Sequence, residues 1–339
     1  MDHHHGRATA AAIDRPRPRP GGEIGLLIIG QRHRDTPPRG FQPTGLPPAA
    51  PAPYVLALME PVLTFYRNAL TGWIIGAVAF SAFGMLLAAA MGRAGALSRH
   101  ALANAGVSIG FWLGNTALAP AALFVALVLG NLLFAAGWPQ LPAGAITALP
   151  FWGQLLLFSI LYDFTEYWVH RALHTGPLWP IHAIHHSDTA VNGFTTLRVH
   201  LFEPFLVRLA VIFTMGWAGI PAEVKGAGLA ISLMHNCYVH FDLDWDHGPL
   251  RWLIASPRFH RLHHVDHPSV HHRNLANIFP VWDIMFGTWA GTGRLQGDFG
   301  AAKSGVPDRD FLALWLWPFT QWAKPGKNQP AGSGGSSGT

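Results

Sequence analysis

The sequence predicts an all-α, polytopic membrane helical bundle of about four or more spans that carries a histidine-rich cap. Three observations predict this class. Only 12% of the 339 residues are charged, about half the share of a soluble globular domain. Residues 101–162 contain no Asp, Glu, Lys or Arg over 62 positions. Fifteen of the 20 histidines lie between residues 170 and 272, after these apolar stretches.

The composition also excludes several kinds of site. The single cysteine, Cys237, rules out an intramolecular disulfide framework, a cysteine-based zinc ribbon and an iron–sulfur cluster. We expect it to be a small buried residue. The formal net charge is only +5, and no arginine-rich face is interleaved with aromatic residues. The sequence therefore argues against nucleic acid as a partner.

The two ends of the chain lack the pattern of a folded core. Residues 1–54 hold ten prolines and seven glycines with little apolar periodicity, which predicts a disordered Pro/Arg-rich tail. Residues 325–339 are rich in Gly and Ser and predict a flexible tail.

Residues 55–147 are predicted to form the N-terminal membrane spans. A spanning helix needs about 20 apolar residues, so the block 101–162 is long enough for two or three passes. We predict breaks near Asn115 and Pro120 and again at residues 138–142. The alternative is buried core helices of a large soluble protein, which would rarely go 62 residues without a charged position.

Two later apolar segments, 204–220 and 222–239, are separated by Pro221. Their charged residues lie at the edges, which predicts a helical hairpin that enters the membrane and returns to the same side. Residues 293–324 form a predicted C-terminal interfacial segment. Its Trp-rich part, 311–322, is too short to be a further span.

The histidines form three groups with regular spacing. Residues one turn apart on a helix share a face, so each group offers two or three imidazoles that point the same way. Neutral imidazole is the commonest protein ligand of borderline metals. One such group alone is weak evidence for a metal, but three within 95 residues predict a metal site. The groups are HRALH at 170–174, HAIHH at 182–186 and HRLHH at 260–264.

The number of imidazoles indicates two metal ions, because eight or more exceed the coordination of one octahedral ion. A nitrogen-rich site with open positions suits iron and oxygen chemistry better than magnesium or calcium, which prefer oxygen ligands. The HExxH motif of many zinc enzymes is absent, since Arg171 follows His170.

These motifs resemble the integral-membrane fatty acid hydroxylase and sterol desaturase superfamily over residues 148–292. Both the order and the spacing of the motifs agree with that family. The matching stretches are DFTEYWVHRALH (163–174), HAIHHS (182–187), RVHLFE (198–203), HN (235–236), PRFHRLHH (257–264), Asn274 and WDIMFGT (282–288).

The resemblance implies that residues 148–292 form a catalytic domain with two iron ions on a four-helix membrane scaffold, capped on the cytosolic side. It implies hydroxylation or desaturation of a lipid with O2 as co-substrate. The superfamily serves sterols, fatty acyl chains, sphingolipids and carotenoids, and the apolar spans do not distinguish among them. No haem, flavin or fused cytochrome b5 motif is visible, so we expect a separate redox partner protein to supply the electrons.

The resemblance also assigns metal ligands. Two departures from the family pattern bear on them. Leu201 replaces a proline that often follows the histidine matching His200, which makes His200 the last candidate. The spacing of five between His235 and His240 keeps the two side chains from sharing a helical face, which predicts that the helix stops near His240. The expected ligands are His170, His174, His182, His185, His186, His235, His240, His260, His263 and His264, followed by His200.

Asp163 and Tyr167 are the candidate catalytic residues. Asp163 lies seven residues before His170 and is expected to accept the free N–H of a ligand histidine. Helix capping or pairing with an arginine is an equal alternative. Asp283 is expected either to act in the same way or to form a turn. The remaining histidines of the cap are expected to lie at the surface: His247, His267, His271 and His272.

Two other functions remain open. A membrane metal transporter predicts ionisable residues within the spans, and residues 101–162 contain none. A zinc-dependent membrane hydrolase needs a general-base glutamate beside a metal ligand. Glu166 precedes His170 by four residues and has the spacing for that role.

Overall fold

The computed structural model describes residues 71–142, 144–293 and 297–324. The tails predicted at 1–54 and 325–339 lie outside these residues. The described residues are mainly helical, and the one β-bridge among them is an isolated antiparallel pair, Val265 with Phe299. The helices are α1 (Thr71–Ala90), α2 (Arg99–Ala135), α3 (Phe151–Leu173), α4 (Trp179–His186), α5 (Phe202–Ala218), α6 (Ala222–Val239), α7 (Pro257–His263), α8 (Val281–Met285) and α9 (Phe311–Trp322).

Helix α2 is a continuous helix of 37 residues that begins where the Ser98 side chain accepts the N–H of Ala101. The predicted breaks near Asn115 and Pro120 are wrong, because the helix passes through both positions. An internal proline removes one backbone hydrogen bond, a loss that a long apolar helix can absorb. The predicted break at 138–142 is confirmed, since α2 ends at Ala135 and α3 begins only at Phe151.

Of the described helices, α2 alone is long and apolar enough to cross a membrane. Its length of about 55 Å exceeds the bilayer hydrocarbon core of about 30 Å. Of the most apolar stretch of 18 residues in this helix, only 17% is buried inside the protein. Large apolar side chains are also exposed on α1 and α3, among them Leu86 at 59% and Leu156 at 57%. The sequence predicted four or more spans, and among the described helices one, α2, clearly qualifies.

The two helices and the turn of the predicted hairpin are present as α5 and α6, and each of the two helices packs on α3. Gly219 ends α5 in the left-handed conformation, with φ of 66°, which glycine adopts without strain. Pro221 then precedes the first residue of α6. Helix α6 ends at Val239 with His240 as its cap, as the spacing predicted.

The hairpin packs on α3 through an apolar cluster that includes Phe158, Met215 and Val224, all buried. Gly228 of α6 lies directly against the Phe158 ring, and no Cβ would fit between them. This close approach holds α6 against α3 and so places His240 beside the end of α3 that carries His170.

The histidine-rich cap consists of short helices joined by loops. Helices α4, α7 and α8 have eight, seven and five residues. Helix α9 has twelve residues, too few to span a bilayer, and begins where the Asp310 carboxylate accepts the N–H of Ala313 at 2.9 Å. Its Leu312 side chain is 65% exposed.

Candidate metal centre

The first pair of histidines lies at the cap end of α3. The helix ends at Leu173, so His170 is in its last turn and His174 is its cap. Nδ1 of His170 lies 2.7 Å from the carbonyl oxygen of Leu275. Because a carbonyl only accepts, Nδ1–H donates and Nε2 keeps its lone pair. Nε2 lies 3.0 Å from Nε2 of His182.

Helix α4 supplies three further histidines, all of them buried. Pro180 in its first turn favours the helical conformation there. Nδ1 of His182 lies 3.0 Å from Oε2 of Glu203, at the start of α5. This contact fixes the tautomer of His182 and leaves its Nε2 free as a ligand.

Helix α7 supplies the third group. Ser256 caps its N-terminus by accepting the N–H of Phe259 at 3.2 Å. Nδ1 of His263 donates to the carbonyl oxygen of Arg273 at 2.8 Å. The three buried histidines of this group are His260, His263 and His264.

These helices bring nine histidines into two groups, within each of which the candidate ligand atoms lie within 4.8 Å of one another. We name them site 1 and site 2. Site 1 contains His170, His174, His182, His186 and His263. Site 2 contains His185, His240, His260 and His264.

Each HxxHH motif is divided between the two sites. In α4, His182 and His186 face site 1 and His185 faces site 2. In α7 the division is reversed, with the pair four residues apart at site 2 and His263 at site 1. The first and last histidines of each motif are four residues apart and project to one side of the helical face. The middle histidine, three residues after the first, projects to the other side. Each motif therefore contributes to both sites: the motif of α4 gives two histidines to site 1 and one to site 2, and that of α7 gives one to site 1 and two to site 2.

The ring nitrogens of site 1 suit a bound cation. Three of them are buried and have no hydrogen-bond partner: Nε2 of His174, His186 and His263. Buried polar atoms without partners are costly, and a metal ion would satisfy all three. Burial and the neighbouring His182 lower the pKa of His263 to about 3. This imidazole is therefore neutral at pH 7, the form that binds metal.

Site 2 has the same character. Nε2 of His240 lies 3.0 Å from Nε2 of His260, 3.2 Å from that of His264 and 3.3 Å from that of His185. Nitrogens this close repel unless a proton or a cation lies between them. Burial lowers the pKa of His264 well below its ordinary value, which disfavours the imidazolium form that an additional proton would produce. The donor set of site 2 thus also fits a metal ion.

Two of the predicted ligands lie outside both sites. His235 is five residues before His240 on α6, and its ring lies against Tyr238 instead, with centroids 5.8 Å apart. The His200 ring packs against Trp315 and Phe319 of α9, at 5.6 and 5.9 Å. The sequence ranked His200 last because Leu201 replaces a proline, but its family motif gave no reason to exclude His235.

Asp163 does not hold a ligand histidine, so the predicted contact is wrong. Its carboxylate accepts the N–H groups of Ile278 and Phe279, each at 2.7 Å, and the indole N–H of Trp282 at 3.0 Å. Seven residues along a helix amount to about 10 Å, beyond hydrogen-bond reach of His170. Asp163 instead ties α3 to the loop before α8.

Tyr167 also lies outside both sites. It is fully buried, and its hydroxyl lies 2.9 Å from Oγ1 of Thr288 and accepts from Arg171 at 3.0 Å. Asp283 takes the turn-forming role, because its carboxylate accepts the N–H of Leu275 at 2.7 Å. Since the Leu275 carbonyl accepts the Nδ1–H of His170, this turn helps to position a histidine of site 1.

Sequence reasoning missed three groups that orient ligand rings. They are the Glu203 carboxylate and the backbone carbonyls of Leu275 and Arg273. Glu203 ends the matched stretch RVHLFE, which is the one signal that could have identified it. Every residue has a backbone carbonyl group, so the sequence does not indicate which of them accept a hydrogen bond from a ligand histidine. Of the predicted surface histidines, His267 and His272 are exposed, whereas His247 and His271 are half-buried.

An open cleft of about 480 Å³, counted out to solvent, touches both sites. His170 and His182 of site 1 line it together with three histidines of site 2. A molecule in this cleft would lie beside both donor sets at once.

Comparison with known proteins shows which family these residues resemble. The fatty acid hydroxylase profile matches residues 155–288. The chain is 33% identical over 129 residues to alkylglycerol monooxygenase of Danio rerio, covering 38% of this chain and 28% of the relative. It is 28% identical over 177 residues to ornithine lipid hydroxylase of Rhizobium tropici, covering 50% and 51%. It is 30% identical over 143 residues to methylsterol monooxygenase 1-3 of Arabidopsis thaliana, covering 40% and 47%.

The chain thus spans between about a quarter and a half of the length of these relatives. No solved structure matches it. All nine histidines of sites 1 and 2 lie within the matched segment. Residues 155–288 are thus similar to the fatty acid hydroxylase family, and the relatives named here are monooxygenases and hydroxylases.

Proposed function

We propose that the protein is an oxidoreductase that uses O2 and two iron ions to hydroxylate or desaturate a lipid dissolved in the membrane. The observation that carries this proposal is the pair of buried histidine groups that face one cleft. An all-imidazole donor set for two ions suits iron and oxygen chemistry. Site 1 would hold one ion and site 2 the other.

The relatives support a lipid substrate. Their names state that they act on alkylglycerol, ornithine lipid or methylsterol as monooxygenases or hydroxylases. These compounds share a long apolar part and one polar end. We propose a substrate of that general kind for this chain, oxidised at a C–H bond that lies in the cleft.

Bound iron would supply the redox chemistry that activates O2 toward an unreactive C–H bond. The residues of the chain hold the imidazoles in place for that task. Leu275 and Arg273 accept Nδ1–H of His170 and His263, and Glu203 accepts that of His182. Each contact leaves Nε2 facing the site and removes the freedom of the ring to turn away. Electrons would come from a separate redox protein.

The membrane location of the proposed activity rests on α2 and on the exposed apolar side chains of α1 and α3. We propose a multi-pass arrangement with the histidine-rich cap on the cytosolic side. A lipid could then reach the cleft from the bilayer without crossing water. A single span with the cap docked on the membrane surface would give the same access.

Growth of cells that express the protein under oxygen-18 gas tests the proposal. Lipid extracts are compared between the wild type and a variant that carries both His185→Ala and His263→Ala. A hydroxylase gives a lipid that contains one oxygen-18 atom, and a desaturase gives a lipid with two fewer hydrogens, in the wild type alone. The proposal fails if the two lipid profiles are the same.

A further inference from the structure

The cleft holds a pair of polar side chains that bind none of the histidines of sites 1 and 2. Glu166 of α3 and Asn277 of the loop before α8 both line it. Nδ2 of Asn277 donates to Oε2 of Glu166 at 3.2 Å. Both residues thus border the space that contacts sites 1 and 2.

The Glu166 carboxylate has only neutral partners. Besides Asn277, it accepts the hydroxyl of Tyr162 at Oε1, at a long 3.4 Å. Burial and the nearby Asp163 carboxylate raise the pKa of Glu166 to about 8, so its ionised form prevails above that pH. The ionised carboxylate offers about four acceptor positions, and two of these remain open. Among the residues that the structure describes, no Lys, Arg or His forms an ion pair with it.

Asn277 adds a buried acceptor without a partner. The residue is 6% exposed, and its Oδ1 is buried with no hydrogen-bond partner. The contact between Nδ2 and Glu166 already joins the loop to α3 without using this oxygen. A buried amide oxygen that lacks a donor is costly, so its retention at the wall of a cleft points to a ligand.

The position of the pair relates it to the metal sites. Glu166 precedes His170 by four residues on α3, about 6 Å along the helix axis. It lies on the side of His170 away from the cap, where α3 runs back toward its apolar first turns. A group held by Glu166 and Asn277 would therefore lie one helical turn from the ring of a site 1 histidine.

We propose that Glu166 and Asn277 bind a hydrogen-bond donor, a hydroxyl or an ammonium group, that the lipid substrate carries within a few bonds of the oxidised carbon. The inference rests on the proposed function and narrows its substrate class. Purely apolar chains and lipids whose polar end only accepts hydrogen bonds bind poorly, because they leave both acceptors unpaired.

Binding of short-chain probes to the full chain in lipid nanodiscs at about pH 9, where Glu166 is ionised, tests this site without turnover. The first pair of probes is 1-O-octylglycerol and its di-O-methyl ether. The second pair is octylamine, as the ammonium ion, and octyltrimethylammonium. Within each pair the donor is lost while the chain is kept. We expect wild-type protein to prefer the donor by at least about tenfold in one pair or both, and that pair identifies the donor.

Glu166→Leu and Asn277→Leu each abolish this preference, whereas Glu166→Gln, which keeps one acceptor oxygen, lowers it only in part. Glu223→Leu, an exposed carboxylate at the start of α6, is the matched control and keeps it. Should Glu166→Leu fail to fold, Asn277→Leu and Glu166→Gln decide. A preference below tenfold in both pairs, or one that survives Asn277→Leu, overturns the proposal.

Metal content and lipid oxidation by the same preparations separate this proposal from the proposed function. Wild-type protein that holds two iron ions and oxidises a lipid, yet prefers neither donor, contradicts the donor site and leaves the function standing. Protein that prefers the donor through Glu166 and Asn277 but oxidises no lipid contradicts the function and leaves the donor site standing.

Discussion

Nδ1 of His182 lies 3.0 Å from Oε2 of Glu203, and the two side chains are only 3% and 12% exposed. The carboxylate orients the imidazole toward site 1 from a position outside the donor set. We expect Glu203→Ala to weaken metal binding at site 1 by about 10- to 100-fold, because the His182 ring loses its fixed tautomer. Glu203→Gln, which still offers an acceptor oxygen, restores most of it.

Iron retained against graded concentrations of a chelator measures this effect. Glu223→Ala is the matched control, since it removes an exposed carboxylate at the start of α6. Equal iron retention by Glu203→Ala and wild-type protein would show that the contact does not act on the metal.

Asp163 is expected to matter for stability and not for the metal itself. Asp163→Ala leaves the N–H groups of Ile278 and Phe279 and the Trp282 indole without their acceptor. Buried donors of this kind cost about 1–3 kcal/mol each when unpaired, so we expect a clearly lower unfolding temperature. Asp298→Ala, at an exposed carboxylate, provides the comparison. An unchanged unfolding temperature for Asp163→Ala would contradict its role as a tie between α3 and the cap.

Two glycines of α6 are expected to respond in opposite directions to the same substitution. Gly228→Ala forces a methyl group into the Phe158 ring and should cost about 1–3 kcal/mol of stability. Gly226→Ala meets nothing within 4 Å and should stabilise the helix by up to about 1 kcal/mol. Thermal unfolding of both variants in detergent checks the pair. Equal shifts would mean that α6 does not pack on α3 as described.

His235 and His200 are expected to be dispensable for metal binding. Both match family motifs, yet both lie outside sites 1 and 2. We expect His235→Ala and His200→Ala to keep the full iron content of the wild type. Elemental analysis of the purified variants gives the answer. Loss of one ion from His235→Ala would return this residue to the donor set.

The sequence predicted the elements that carry the site. It did not predict which histidines belong to which site. The hairpin, the end of α6 at His240 and the three histidine groups follow from charge placement and helical periodicity. The division of each HxxHH motif between two sites does not, because it depends on how α4 and α7 are rotated by tertiary packing. The role of Asp163 was missed for a similar reason, since its partners are backbone groups more than 100 residues away.

The predicted helix breaks within the apolar block 101–162 were wrong where residues that often end helices lie inside a long apolar helix. Asn115 and Pro120 are residues that often end helices, but α2 runs through both. Asn115 turns its side-chain amide to the carbonyl oxygen of Val199 at 2.7 Å, a tertiary contact that keeps it within the helix. No sequence pattern reports that partner.

The metal content of the purified full chain, with His263→Ala for site 1, His185→Ala for site 2 and exposed His267→Ala as the control, tests the central claim most directly. The account predicts about two iron ions per chain in the wild type and in His267→Ala, with lower content in each of the other two variants. A single zinc ion per chain, or full metal content in both His263→Ala and His185→Ala, would contradict it.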